Sequence, residues 1–344
     1  MKQLLIALVL VGSGWAFTLV EDKAAFVVNK DTAVWELLKQ LGEPAPNHTV
    51  NTSIDGVSAE RGEDLVRYGI TVSPKGKKTR KQSKHFVCTS CHNIVKEDPD
   101  LRVADPQARL EYAAKNQLPY LQGTTLYGAV NRQHFYNGDY EKKYGDLVAP
   151  ARQNLREAIQ LCAVECSQGR RLNSWEMESV LAYLWTLQYK LGDLDMETSD
   201  YQTLEAATQG GDKTSAREKL KSFYLDFSPA HFVAPPENLR EGYPLAGNPD
   251  NGELIYKLSC LHCHENKRYS YFHLDVTRQT FKYLVNNFDN YAHSSIYEAS
   301  RYGTPPLYGK RAYMPQYTEE KMTNQQMEDL RAYIEQGAKR GYKQ

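Results

Sequence analysis

The sequence predicts a mainly α-helical protein of two domains built on one plan and joined by a long extended linker. Three observations carry this. The frame Met-Glu-x-x-x-Ala-Tyr occurs at 177–183 and again at 327–333, each time within a run of apolar residues at helical spacing. A second pattern, Cys-x-x-Cys-His, occurs at 88–92 and at 260–264. Each copy has a glycine-bearing helical stretch ahead of it, "SAERGEDLVRYG" at 58–69 and "NGELIYKLSC" at 251–260.

From the N-terminus, residues 1–16 read as a cleaved secretory signal. Lys2 precedes an apolar run from Leu4 to Val11, and Gly14 and Ala16 supply small residues before a cut near Ala16. The run is too short to span a membrane and no other reaches about 18 residues, so no transmembrane segment is expected and the periplasm is the expected compartment. The 42 basic and 42 acidic residues balance. Such a chain offers no field for nucleic acid or an anionic membrane surface. The remaining length suffices for two domains, each with its own core. Tyr is over-used: 24, against 10 Phe and 4 Trp, which fits amphipathic packing around something large and flat as well as plain surface aromatics.

The first domain is expected over 17–190 and the second over 244–344. Gly62 and Gly252 would let another helix approach closely, and the two Ala-Tyr helices are the natural partners. Ser174 and Thr323 are the expected N-caps of those helices. Between the domains, 191–243 holds one helical pattern (215–224) and then a Pro-rich run. A connection this long is expected to be a strap packed over its neighbours.

Six cysteines in a secreted chain invite a disulfide framework. Four of them, Cys88, Cys91, Cys260 and Cys263, instead fall in the two Cys-x-x-Cys-His motifs. A disulfide, zinc ribbon or dithiol redox pair needs no histidine directly after the second cysteine; covalent attachment of haem c does. There the thiols form thioethers with the two vinyl groups and His92 or His264 binds the iron. With 9 His in 344 residues, both pairs gaining that histidine by chance has a probability on the order of one in a thousand. A zinc site shared by the four thiols would require ligands far beyond ribbon spacing. Two haem c groups are therefore the expected cofactors.

The paired helices and the motif order resemble class I cytochrome c domains, in which the first and last helices cross and grip the haem. In such domains the distal methionine lies on an extended Met-Pro loop. That resemblance makes Met314, before Pro315 and nine residues ahead of the last helix, the distal ligand of haem 2.

No Met-Pro loop stands at the matching place in the first domain. Cys162 lies 21 residues before Tyr183, where Met314 lies 19 before Tyr333. Cys162 as ligand, a Cys162–Cys166 disulfide, and His134, Met177 or Cys166 as ligand remain open on the residues alone. Four residues apart on a helix, the two Cα atoms would be about 6 Å from each other, within disulfide range.

The run from 159 to 183 resembles the diheme thiosulfate dehydrogenase family and related sulfur-oxidising cytochromes. Ile159, Cys162, Gly169, Arg170, Ser174, Glu176, Met177, Ala182 and Tyr183 fit the family's pattern, as does "LPYLQG" before it. The resemblance implies Cys162 as axial thiolate of haem 1 and, in an enzyme, as its catalytic residue. Cys166 stands where the family has serine, and Ala158 where it has an arginine for the substrate anion. Arg152, Arg156, Arg170 and Arg171 would suit such an anion from nearby.

Two functions follow as expectations. One is a diheme electron carrier between redox partner proteins. The other is an oxidoreductase acting on a small sulfur anion at haem 1 and exporting electrons through haem 2.

Overall fold

The computed structural model describes residues 26–291, 294–304 and 313–339. The expected signal, 1–16, lies outside them. The protein is mainly helical, and its extended pairing among the described residues is limited to the isolated bridges Ala33–Lys190 and Val72–Lys78. Thirteen helices are named here in chain order. They are α1 (Val34–Gln40), α2 (Ala59–Tyr68), α3 (Pro106–Lys115), α4 (Gly138–Tyr144), α5 (Leu155–Leu161), α6 (Ser174–Thr186) and α7 (Thr198–Thr208). The rest are α8 (Lys213–Lys221), α9 (Pro249–Ile255), α10 (Leu261–His264), α11 (Arg278–Val285), α12 (Ile296–Tyr302) and α13 (Asn324–Lys339).

Two crossed helix pairs, α2 with α6 and α9 with α13, organise the molecule. A β-carbon on Gly62 would stand 1.9 Å from the Ser179 carbonyl oxygen and 2.9 Å from Tyr183 Cβ. On Gly252 it would stand 1.9 Å from the Asp329 carbonyl oxygen and 2.9 Å from Tyr333 Cβ. The crossings thus use equivalent residues of the two Ala-Tyr frames, and hydrogen in place of a side chain is what permits the approach.

Local chemistry sets the ends of these helices. Ser58 caps α2 by accepting from Arg61 N at 3.2 Å, and Gly69 closes it in the left-handed conformation. Asn173, rather than the expected Ser174, caps α6 in a reciprocal box with Glu176. Asn173 prevails because Glu176 sits three residues after it, the spacing the box requires. Thr323 caps α13 in the same way with Gln326.

Three cores result. Leu65, Val66, Val180, Leu181 and Leu184 fill the first crossing. Ile255, Tyr256, Leu330, Tyr333 and Ile334 fill the second. Each fully buried aliphatic side chain contributes roughly 1.5–3 kcal/mol. The third core joins chain ends far apart in sequence: Val34, Leu37, Leu38 and Leu41 of α1 and its C-cap meet Leu204 and Ala207 of α7 and Ala216 and Leu220 of α8. The segment 191–243 is thus not a strap throughout. It holds two helices where the sequence suggested one, and α7 was missed because its apolar positions are few and need α1 to cover them.

From Leu225 onward the chain is non-helical until α9 and runs from one half to the other. Asp226 O accepts from Gln133 N and His134 N at 2.9 and 3.1 Å, His231 O accepts from Glu319 N at 2.8 Å, and Tyr243 N donates to Glu328 Oε1 at 2.8 Å. The halves interlock in the other direction too. Leu110 and Ala113 of α3, with Tyr120, lie in the core of the second crossing. Tyr120 N donates to Leu258 O at 2.9 Å.

Candidate cofactor site

The first Cys-x-x-Cys-His motif forms a tight turn after residues 69–87. Buried Ser90 fixes it, its hydroxyl accepting from Val87 N at 3.1 Å. His92 N donates to Cys88 O at 3.0 Å, which closes the turn. Its Nδ1 is 2.6 Å from Thr124 O. Gly123 lies against the ring: its amide donates to Cys91 O at 3.0 Å, and a β-carbon there would stand 2.6 Å from His92 Nδ1.

The second motif grows directly out of a helix. After α9 the backbone widens into a π-helical stretch, Tyr256–Cys260, and α10 then carries Cys263 and His264. Such widened turns concentrate at functional sites. His264 Nδ1 lies 2.9 Å from Phe272 O, and the Phe272 ring stands edge-on to the imidazole at 5.8 Å.

The two histidines are therefore held alike. A carbonyl oxygen only accepts, so Nδ1 carries the proton and Nε2 keeps its lone pair, the tautomer a metal-binding histidine adopts. Burial pushes both imidazoles below the ordinary histidine value, which keeps them neutral.

The four motif cysteines are free thiols. Burial pushes Cys88 up to about 11, Cys260 up to about 12 and Cys263 up to about 11, and raises Cys91 as well. Cys263 is among the groups that raise Cys91, so the two turns lie near each other. Nevertheless no set of three or more His, Cys, Asp or Glu is placed to hold a metal ion among the described residues.

Met314 packs with Leu258, Cys260 and Leu261 against the second core. Its backbone is pinned to Thr304, Met314 N donating to Thr304 Oγ1 at 2.7 Å and Thr304 N to Met314 O at 2.8 Å. Cys162 and Cys166 mark the ends of a second π-helical stretch, directly after α5. They are not bonded to each other, but each acts on the other. The nearness of Cys166, with burial, raises Cys162 well above the usual thiol value, and the nearness of Cys162 lowers Cys166 against the effect of its burial. Cys88 and Cys91 also act on Cys162, so this stretch belongs to the surroundings of the first turn. His134 does not join them: its Nε2 is 2.8 Å from Gln153 Nε2, in a cleft lined by Trp35 and His48. Met177 is buried in the first core.

Three of the four expected anion-binding arginines are otherwise engaged. Arg156 pairs with Glu178 at 2.7 Å and donates to Asn47 O and Thr49 O, Arg170 holds Glu176 with both terminal nitrogens, and Arg152 pairs with Glu141 at 2.6 Å. Each forms a structural ion pair with a carboxylate that folding brings beside it.

Sequence reasoning missed Tyr313, which precedes Met314 and lies beside Cys166 from the second half of the chain. It missed Gly123 and Thr124, although "LPYLQG" ends on that glycine. It also missed a buried charge cluster. Glu97 Oε1 lies 3.3 Å from Lys321 Nζ and 3.8 Å from Arg109 NH1, and all three side chains are sealed from solvent. Glu97 further accepts from Asn93 Nδ2 at 2.8 Å and from Thr125 N at 3.1 Å, just behind His92.

No protein-family model, curated protein or solved structure matches the chain. No helix among the described residues is long and apolar enough to cross a membrane.

Proposed function

We propose that the chain is a diheme c-type cytochrome that carries electrons between redox partner proteins, its two halves being class I cytochrome c-like domains. The observation that carries this reading is the matched state of the two motifs. In each, both thiols are free and the following histidine has Nδ1 committed to a backbone carbonyl, which leaves Nε2 for iron.

The residues fit the group. Cys88 and Cys91 would hold haem 1 by thioethers and Cys260 and Cys263 haem 2, with His92 and His264 as proximal ligands. Met314 would be the distal ligand of haem 2 and Cys162 that of haem 1. When bound, a haem c supplies reversible one-electron chemistry. The chain's own part is to orient the imidazoles and to set the polarity around each ring. Attachment of this kind accords with a secreted, periplasmic protein.

The intact mass of the purified protein after acid–acetone extraction is expected to exceed that of the processed chain by roughly 1.2 kDa, two haem c groups. A mass equal to the bare polypeptide removes the reading. Met314→Ala is expected to lower the reduction potential of one haem and leave the other in place, read by protein-film voltammetry, because His/Met ligation raises potentials. Two unchanged waves would place the methionine elsewhere.

A second reading, an oxidoreductase for a small sulfur anion, draws support from the nearness of Cys162 to the first turn. The pairing of Arg152, Arg156 and Arg170 with carboxylates weighs against it.

A further inference from the structure

Cys162 and Cys166 are the two cysteines outside the Cys-x-x-Cys-His motifs. They sit at the two ends of one π-helical stretch, in which Ser167 N reaches back to Cys162 O at 2.8 Å. The widened turn puts both thiols on one short stretch, four residues apart, where each acts on the other without a covalent bond. Two thiols so placed need only a small closing movement to become a disulfide.

The surroundings differ from those of a buried structural pair. Tyr313 lies beside Cys166, each acting on the other, and the Tyr313 ring stands edge-on to Phe86 at 5.8 Å. Tyr136 and Tyr140 act on both cysteines and lie ring-to-edge at 4.8 Å. The wall is therefore largely aromatic, the Glu165 carboxylate is the charge that acts on Cys166, and Arg152, Arg156 and Arg170 are tied to carboxylates. Cys166 is the more exposed of the two residues. Such surroundings suit a small, weakly charged sulfur compound better than a dianion.

We propose that Cys162 and Cys166 form a reversible dithiol–disulfide couple through which small thiols deliver two electrons to this protein. The proposal rests on the cytochrome reading for its electron acceptors. On closing, two S–H bonds break and one S–S bond forms; two protons leave to solvent and one electron passes to each of two one-electron acceptors, the paired haem c groups. On reopening, an incoming thiolate attacks the Cys166 sulfur, forming a mixed disulfide and releasing Cys162, which takes up a proton. A second thiolate attacks the outer sulfur of that mixed disulfide, releases Cys166, which is protonated in turn, and leaves as the symmetrical small disulfide. The net change is two thiols to one disulfide, two protons and two electrons. Closure uses the sulfur assigned to the first iron, so ligation and closure compete.

The test uses the full-length mature protein as purified. After ferricyanide treatment, alkylation with iodoacetamide and peptide mapping, the peptide holding both cysteines is expected unalkylated and lighter by two hydrogen atoms than after dithiothreitol. Incubation with 2-mercaptoethanol is expected to restore two alkylatable thiols, and the visible spectrum of one haem to follow the same course. Cys166→Ser, carrying both haems by intact mass, is expected to accept electrons from 2-mercaptoethanol at least tenfold more slowly than the parent. Full alkylation of both cysteines after ferricyanide, or an unchanged rate in Cys166→Ser, overturns the couple while the haem mass stands. A protein without the haem mass overturns the cytochrome reading, and with it the delivery of electrons, even where the disulfide forms.

Discussion

Glu97→Ala is expected to lower the free energy of unfolding by about 3–5 kcal/mol, because it takes from two buried cations the carboxylate that pairs with them, with only Asp98 left nearby. Glu97 is 1% exposed, Arg109 2% and the Lys321 side chain 7%. Arg109 is also held by Leu121 O at 3.1 Å, Lys321 O at 2.7 Å and the face of Tyr120 at 4.0 Å. It cannot swing to solvent when the carboxylate is gone. Asn93 Nδ2 and Thr125 N would lose their acceptor at the same time.

The charge state of the cluster fixes its pH dependence. Burial pushes the Glu97 carboxyl up, but Lys321 and Arg109 together outweigh it and hold the group below its ordinary value of 4.5. Burial lowers Lys321 and Arg109 adds to that, and Glu97, Asp98 and Glu320 acting the other way do not restore the lysine. A carboxyl with a depressed folded value stabilises above its unfolded value and loses that contribution as pH falls through the folded one. Urea titrations should show the Glu97→Ala deficit in full at neutral pH and a narrowing deficit as pH falls below 4.5. A deficit under about 1 kcal/mol at neutral pH, the range of an exposed pair, would mean that water reaches the cluster. Glu97→Gln, which keeps the shape and one acceptor, is expected to lose less.

The features legible in the sequence are those that local chemistry decides. Gly62 and Gly252 announced a close helix approach because no other residue brings the backbone so near, and the two Ala-Tyr frames supplied the partners at a constant offset. The motif turns were readable because their spacing is itself the chemistry. What escaped depends on residues far apart in the chain. Glu97 and Lys321 are 224 positions apart, and nothing local marks either as buried. Helix α7 has its apolar side covered by α1, at the other end of the first half, so its pattern looked too thin. Arg152, Arg156 and Arg170 looked available because the carboxylates that claim them become neighbours only after folding. The meeting of Tyr313 with Cys166 had no sequence signal beyond adjacency to Met314.

The second large effect concerns the helix crossings. Gly62→Ala and Gly252→Ala each place a β-carbon 1.9 Å from a backbone carbonyl oxygen of the facing helix, a separation no rotamer can relieve. The helices must part, and overpacking of this kind costs typically 1–3 kcal/mol or more. Alanine's better helix propensity returns about 0.5–1 kcal/mol, so each variant is expected to lose roughly 2 kcal/mol net. Equal contacts predict equal losses of stability, read as the shift in thermal unfolding by circular dichroism. The consequences for the motifs differ. Between α2 and Cys88 the chain passes through residues 69–87, which can absorb a displacement of the helix. By contrast α9 continues without a break through the π-helical stretch into Cys260, Cys263 and His264, so moving Gly252 moves the attachment residues. On the cytochrome reading, Gly252→Ala should lower haem content at the second motif, seen as a single-haem species by intact mass, while Gly62→Ala retains both. Wild-type melting of both variants would show that the crossings are looser than the backbone distances state. Equal haem loss in both would show that 69–87 transmits helix position as rigidly as the continuous helix does.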